Sequence, residues 1–171
     1  MSEPRPAGQP RAQLYSETER ARRDASPWTT VQGVLAALQC VVFAVSTLQV
    51  WRFLATGEGA TIATGSVLAK TLILYSIMIT GALWEHDVFG RYLFAPAFFW
   101  EDVVSMLVIL LHTAYVAAWL FDLLPLQQQM LLALVAYSAY AVNAAQFLYK
   151  FRLARRERPA LESGALAGAG S

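Results

Sequence analysis

The sequence predicts an all-α integral membrane protein, a four-helix bundle of up-down topology with both termini cytoplasmic. Three observations predict it. Of 171 residues, 57% are hydrophobic and only 15% charged, against about 45–50% and about 25% in ordinary soluble domains. Four windows of mainly apolar residues (31–51, 61–83, 98–121 and 129–149) reach the roughly 20 residues that a membrane helix needs. The basic residues are segregated: of 13 Lys and Arg, only Arg52, Lys70 and Arg91 lie between residues 28 and 149. So small a chain with so few charges cannot cover the surface of a soluble globule. The continuous apolar runs argue against a β-barrel, which alternates.

The elements follow in order. Residues 1–27 form a polar, Arg-rich cytoplasmic segment without the apolar core of a cleavable signal peptide. Within it Ser16 and Glu19 have the S-x-x-E spacing of a capping box, which predicts a short surface helix through Arg23. Its arginines can rest on anionic headgroups, and Pro27 breaks the chain before the first span. The membrane domain occupies 28–150. Its connections are short and marked by Gly57 and Gly59, Gly90 and Pro96, and Pro125, which makes consecutive helices antiparallel neighbours. Both tails share a side with the 84–97 loop. Eleven basic residues lie there and only Arg52 opposite, which orients that side to the cytoplasm. Trp28, Trp51, Trp84, Trp100 and Trp119 sit near span ends, as interfacial anchors do. Residues 151–171 begin basic and become Ala- and Gly-rich, a composition expected to be disordered.

Small residues at four-residue spacing, Ala114/Ala118 and Ala141/Ala145, suit close helix packing. The single cysteine, Cys40, lies mid-span. It reads as a packing residue and permits neither an intrachain disulfide nor a Cys-based metal site. A bis-histidine haem needs two histidines at one depth. His86 and His112, the only two, fall at opposite depths.

Ionisable groups inside hydrocarbon are costly and mark function. Three of the charged residues fall within the proposed spans: Lys70, Glu101 and Asp102. Glu101 and Asp102 lie at the start of the third span, behind the apolar run Ala97–Trp100 that biases them inward. Glu85, His86 and Asp87 follow the second span, and Arg91 lies in the loop between. Gln32, Thr80, Asn143 and Gln146 come to similar depth. Carboxyls gathered this closely repel one another's charge, so that one can keep its proton at neutral pH and serve as an acid. A solvated helix end, with acids favoured by the dipole at an N-terminus, explains the same residues without chemistry. Lys70 and His112 are both about 13 Å from the outer end of their spans, so they can meet, although Lys70 can also snorkel outward. Glu101, Ser105, His112 and Tyr115 share one helix face, yet Glu101 and His112 are about 16 Å apart along it. Only a large flat ligand reaches both.

The stretch WEHDVFGRYLFAPAFFWED (Trp84–Asp102) is long and distinctive. With ASPWTTVQ (Ala25–Gln32) before it, SMLVILLHTAY (Ser105–Tyr115) after it, and QMLLALVAYSAYAVNAAQFL (Gln129–Leu148), it resembles the vinyl bacteriochlorophyllide hydratases of phototrophic bacteria. The likeness covers Leu14 to Lys150. It implies a hydro-lyase of bacteriochlorophyll biosynthesis in the bacterial cytoplasmic (inner or intracytoplasmic) membrane. Such an enzyme adds water across the 3-vinyl group of chlorophyllide a or bacteriochlorophyllide and gives the 3-(1-hydroxyethyl) product. It implies no cofactor beyond the Mg²⁺ that the substrate carries. It implies as partners the pigment, water, the lipid bilayer and neighbouring enzymes of the same pathway, and no nucleic acid.

The resemblance assigns no residue roles, so chemistry must. Protonating the terminal vinyl carbon leaves a cation that the macrocycle delocalises, and water then adds. The site must supply a general acid, a base with a positioned water, and a pocket that excludes bulk water. Glu101 is the first candidate acid, Asp102 its helper or the water-orienting base, and Glu85 the alternative. His112 is a candidate base or axial ligand to the substrate's Mg²⁺, the protein holding no metal of its own. Arg91 is a candidate partner for the pigment's propionate. Phe94, Phe98, Phe99 and Trp100 are candidates to stack on the ring, with Lys70 as a further substrate contact. A non-enzymatic pigment or quinone carrier, or an assembly factor, is the alternative function. It would show the same aromatic belts but has no need of the acid cluster.

Overall fold

The computed structural model describes residues 14–168, with side chains through Leu153. Arg5 and Arg11, and the side chains of Arg155, Arg156 and Arg158, lie outside what is described. Five helices follow one another: α1 (Glu17–Ala25), α2 (Pro27–Thr56), α3 (Ala60–Phe89), α4 (Phe99–Leu120) and α5 (Leu126–Gly168). The four long ones are apolar and long enough to cross a membrane.

Helix α1 starts at the expected capping box. The Glu19 amide donates to Ser16 Oγ (3.3 Å), and the Ser16 amide donates to Glu19 Oε2 (2.7 Å). Pro27 at the first turn of α2 has no amide hydrogen to leave unpaired, so it opens a helix as readily as it ends one. Ser26, at that junction, donates to Asp87 on α3 (2.8 Å) and ties α1 to the bundle. The α2–α3 turn needs left-handed backbone twice, at Gly57 (φ 75°) and Gly59 (φ 79°), where a side chain would be strained.

The helices overrun the apolar windows because backbone hydrogen bonding continues where hydropathy fades. Helix α3 passes residue 83 and ends only at Gly90 (φ 73°), so Glu85, His86 and Asp87 are helical. Helix α5 continues to Gly168, where composition predicted a disordered tail. Its Leu, Ala, Arg and Glu are strong helix formers.

Two hairpins, α2–α3 and α4–α5, pack closely within themselves and touch each other more sparsely, most sparsely along the α3–α4 seam. The interior is layered along the bundle axis. At the end bearing the Gly57–Gly59 turn is an apolar layer of Val50, Ala63, Val67, Tyr115, Met130, Ala133 and Tyr137. In the middle are Leu74, Val108 and Tyr140. At the other end Tyr15, Val88 and Phe98 form the third. Lys70 and His112 lie between the first two layers, and the acids between the second and third. Helix association in lipid relies on van der Waals fit and small residues. Here Ala63, Ala118, Ala133 and Ala136 are buried, while Ala141, Ala145 and Ala114 face outward, so the predicted pairs supply only Ala118. Cys40 is exposed rather than packed inside.

Candidate functional site

The acid end is built around the loop from Gly90 to Phe98. Phe94 adopts a left-handed conformation (φ 59°), which costs a non-glycine residue about 1–3 kcal/mol. The bend turns two successive backbone amides inward. Phe94 N–H donates to Asp102 Oδ2 (2.7 Å), and Ala95 N–H donates to Glu85 Oε2 (3.2 Å). Hydrogen bonds to ionised carboxylates are among the stronger ones, which offsets the bend. Asp102 and Glu85 are 3% and 5% exposed. Because Phe94 and Ala95 are consecutive, their amides bring the two carboxyls side by side.

Glu101 is handled differently. Its Oε2 accepts from Lys150 Nζ (2.7 Å), and the same ammonium donates to Ala97 O and lies 5.1 Å from the centre of the Phe98 ring. Asn143 Nδ2 and Ser105 Oγ donate to the Glu101 carbonyl (2.9 and 2.8 Å), locking the first turn of α4 to α5. Of the three acids, Glu101 is thus the ion-paired one, and Glu85 and Asp102 are the two held by loop amides.

Lys150 and Tyr15 were not singled out from sequence. Lys150 counted only as tail charge. Its seven-residue spacing from Asn143, which returns to one helix face, was the available signal. Tyr15 sits in an Arg-rich stretch, where Leu14–Tyr15 is the one large apolar pair. It stacks on Phe89 (5.9 Å between centroids, 12° between planes) and tilts against Phe98. Burial pushes its hydroxyl pKa up to about 12. Trp84 donates to Thr29 Oγ1 (3.0 Å) and packs edge-on against Phe89 and Phe98, so it braces the interior instead of anchoring in lipid.

The other expected residues divide by direction. His86 is exposed and stacks on Tyr92, and Asp87 is exposed and accepts from Ser26. Arg91 is exposed on the loop. Phe98 is buried and stacks on Phe147, whereas Phe94, Phe99 and Trp100 are outward, Trp100 most of all at 69%. Gln32 donates to Thr80 Oγ1 (2.7 Å) and to Ile77 O (3.2 Å), joining α2 to α3.

Lys70 and His112 do meet. His112 Nδ1 lies 2.8 Å from Val108 O, which makes it the donor and leaves Nε2 to accept from Lys70 Nζ at 3.3 Å. Both ring nitrogens are therefore engaged. Lys70 is fully buried and does not snorkel. Its ammonium lies 3.9, 5.2 and 5.8 Å from the ring centres of Tyr140, Tyr137 and Phe43. No cluster of three or more metal-ligating side chains occurs among the described residues.

Comparison with known proteins places this geometry in context. The family model described as 2-vinyl bacteriochlorophyllide hydratase matches residues 15–153. The chain is 58% identical over 161 residues to the 2-vinyl bacteriochlorophyllide hydratase of Rhodobacter capsulatus, covering 94% of each chain. It is 58% identical over 153 residues to that of Cereibacter sphaeroides, covering 90% of this chain and 95% of that one. No solved structure matches it.

Proposed function

The chain belongs to the 2-vinyl bacteriochlorophyllide hydratase family, and from that premise we propose that Glu85 and Asp102 together move the protons of the hydration. The protein is a hydratase of bacteriochlorophyll biosynthesis acting on a vinyl bacteriochlorophyllide. The vinyl counted as 2 in the relatives' names is the ring-A group numbered 3 above.

The carrying observation is two buried carboxyls set side by side, held by consecutive backbone amides of one loop. A proton held by the pair passes to the terminal vinyl carbon as the π electrons form the new C–H bond. Positive charge then develops on the carbon next to the macrocycle. A water lone pair forms the C–O bond there, and the water's extra proton returns to the carboxylate pair. The pair ends as it began, so one site serves as acid and base. No electrons leave or enter, so the reaction calls for no redox group. Glu101, ion-paired with Lys150, holds α4 and α5 together beside the pair. His112, about 15 Å along α4 from Asp102, takes no part in the proton transfer. Trp84, Phe98 and Tyr15 close the acid end against bulk water, which strengthens electrostatics inside.

The Lys/Arg distribution supports a cytoplasmic acid end, in the bacterial inner or intracytoplasmic membrane. The test is turnover of vinyl bacteriochlorophyllide in membranes, read as the product heavier by one water. Asp102→Asn and Glu85→Gln each lower kcat by about 10²–10⁴-fold, the usual contribution of a general acid. Turnover near wild type in both variants would refute the pair.

A further inference from the structure

Lys70 has no role in that proton transfer, yet a buried ammonium at mid-membrane is costly and calls for one. We propose that Lys70 receives the propionate carboxylate of the pigment, so that the macrocycle stands along the bundle axis between the two hairpins with its vinyl group at Glu85 and Asp102. The proposal rests on the reading of that acid pair.

Four observations carry it. The first is unmet hydrogen-bonding capacity. An ammonium has three N–H donors, and Lys70 gives one to His112 Nε2. Its other near neighbours include the faces of Tyr140, Tyr137 and Phe43, which attract a cation but do not neutralise it, and the Cys40 thiol. The second is Gln39, 1% exposed, with neither its amide nitrogen nor its oxygen hydrogen-bonded. It lies one turn from Phe43 on the same face of α2, at the edge of this aromatic cage. A carboxylate arriving there finds an ammonium and an amide donor already desolvated.

The third is distance. His112 lies ten residues beyond Asp102 on α4, about 15 Å along the axis. That separation suits a chlorin held by two corners, from the ring-A vinyl to the end of the propionate arm on ring D. Between the two polar layers the interior is apolar, made by Leu74, Val108 and Tyr140. The fourth is access. The hairpins touch sparsely along the α3–α4 seam, which is pinned midway by an exposed Tyr75–Thr113 hydrogen bond of 2.7 Å. A flat pigment dissolved in the bilayer enters edge-on by parting that seam.

The consequence is selectivity. The propionate is the one ionised group of a bacteriochlorophyllide, and it is masked in pigments esterified to a long alcohol. A site that reads the free carboxylate accepts the former and passes over the latter. This orientation also carries the propionate away from Arg91, which is exposed at the vinyl end.

The experiment compares the free acid and the propionate methyl ester of the vinyl substrate, using full-length protein in membranes. Wild type prefers the free acid by at least about tenfold in KM, equivalent to about 1.4 kcal/mol. Lys70→Met erases the preference, so that the ratio of KM for the ester to KM for the free acid falls to about one. Lys70→Arg retains it. Equal KM values in wild type would overturn the proposal without any variant being needed, as would a preference that survives in Lys70→Met or disappears in Arg91→Gln. Failure of the acid-pair reading looks different: Asp102→Asn would then keep kcat on both substrates, whatever the preference.

Discussion

The two polar layers of this bundle are equally buried and oppositely made. At the acid end each of the three buried carboxyls has its partner: Asp102 the Phe94 amide, Glu85 the Ala95 amide, and Glu101 the Lys150 ammonium. In the middle a single cation is held by ring faces and one imidazole lone pair, beside an amide with no partner. The first layer has its hydrogen-bonding partners in place. The second has donors to spare. A hydratase needs both, because a preorganised acid protonates only what a binding site holds in register.

The largest expected loss is at the acid pair. The double variant Glu85→Gln/Asp102→Asn is expected to lose about as much kcat as either single one, about 10²–10⁴-fold, because the two act as a unit. Strictly multiplied losses in a kinetic double-mutant cycle would show that they act separately. A smaller effect belongs to the ion pair beside them. Lys150→Met leaves the buried Glu101 carboxylate without its cation and lowers thermal stability in detergent by about 1–3 kcal/mol. Adding Glu101→Gln restores part of it. No restoration would mean that the pair contributes nothing.

The smallest effect concerns the lid of the acid end. The Tyr15 hydroxyl has its pKa raised to about 12 by burial, against 10.0 when free. A raised acid favours the neutral form in the folded state. Its contribution is therefore fully present below pH 10 and lost as pH rises through 12. Proteolysis within α1 should accelerate over that window in wild type and not in Tyr15→Phe. Equal pH dependence in both would remove the packing of Tyr15 as the cause.

Much of this was legible from residues. Four apolar windows located the spans, and equal depth brought Lys70 to His112. The proposed choice of Glu85 and Asp102 over Glu101 was not legible. Sequence favoured Glu101 because an apolar run precedes it. Holding Glu85 and Asp102 on consecutive amides depends on Phe94 adopting left-handed backbone, which local propensity disfavours and only the closed loop sustains. Lys150 and Tyr15 were hidden by composition: one lies in a basic tail, the other in an arginine-rich segment, and each is drawn inward by a partner remote in sequence. Ala141 and Ala145 had the spacing for close packing, but the rotation of α5 turns Ala133 and Ala136 inward instead.

The most direct test sets the two kinds of acid against each other. Turnover of vinyl bacteriochlorophyllide is measured for Asp102→Asn and Glu101→Gln side by side, at matched protein and with pigment binding checked by absorbance. Asp102→Asn is expected to fall by about 100-fold or more while Glu101→Gln stays within about tenfold of wild type. The reverse order, with Glu101→Gln inactive and Asp102→Asn active, would contradict it.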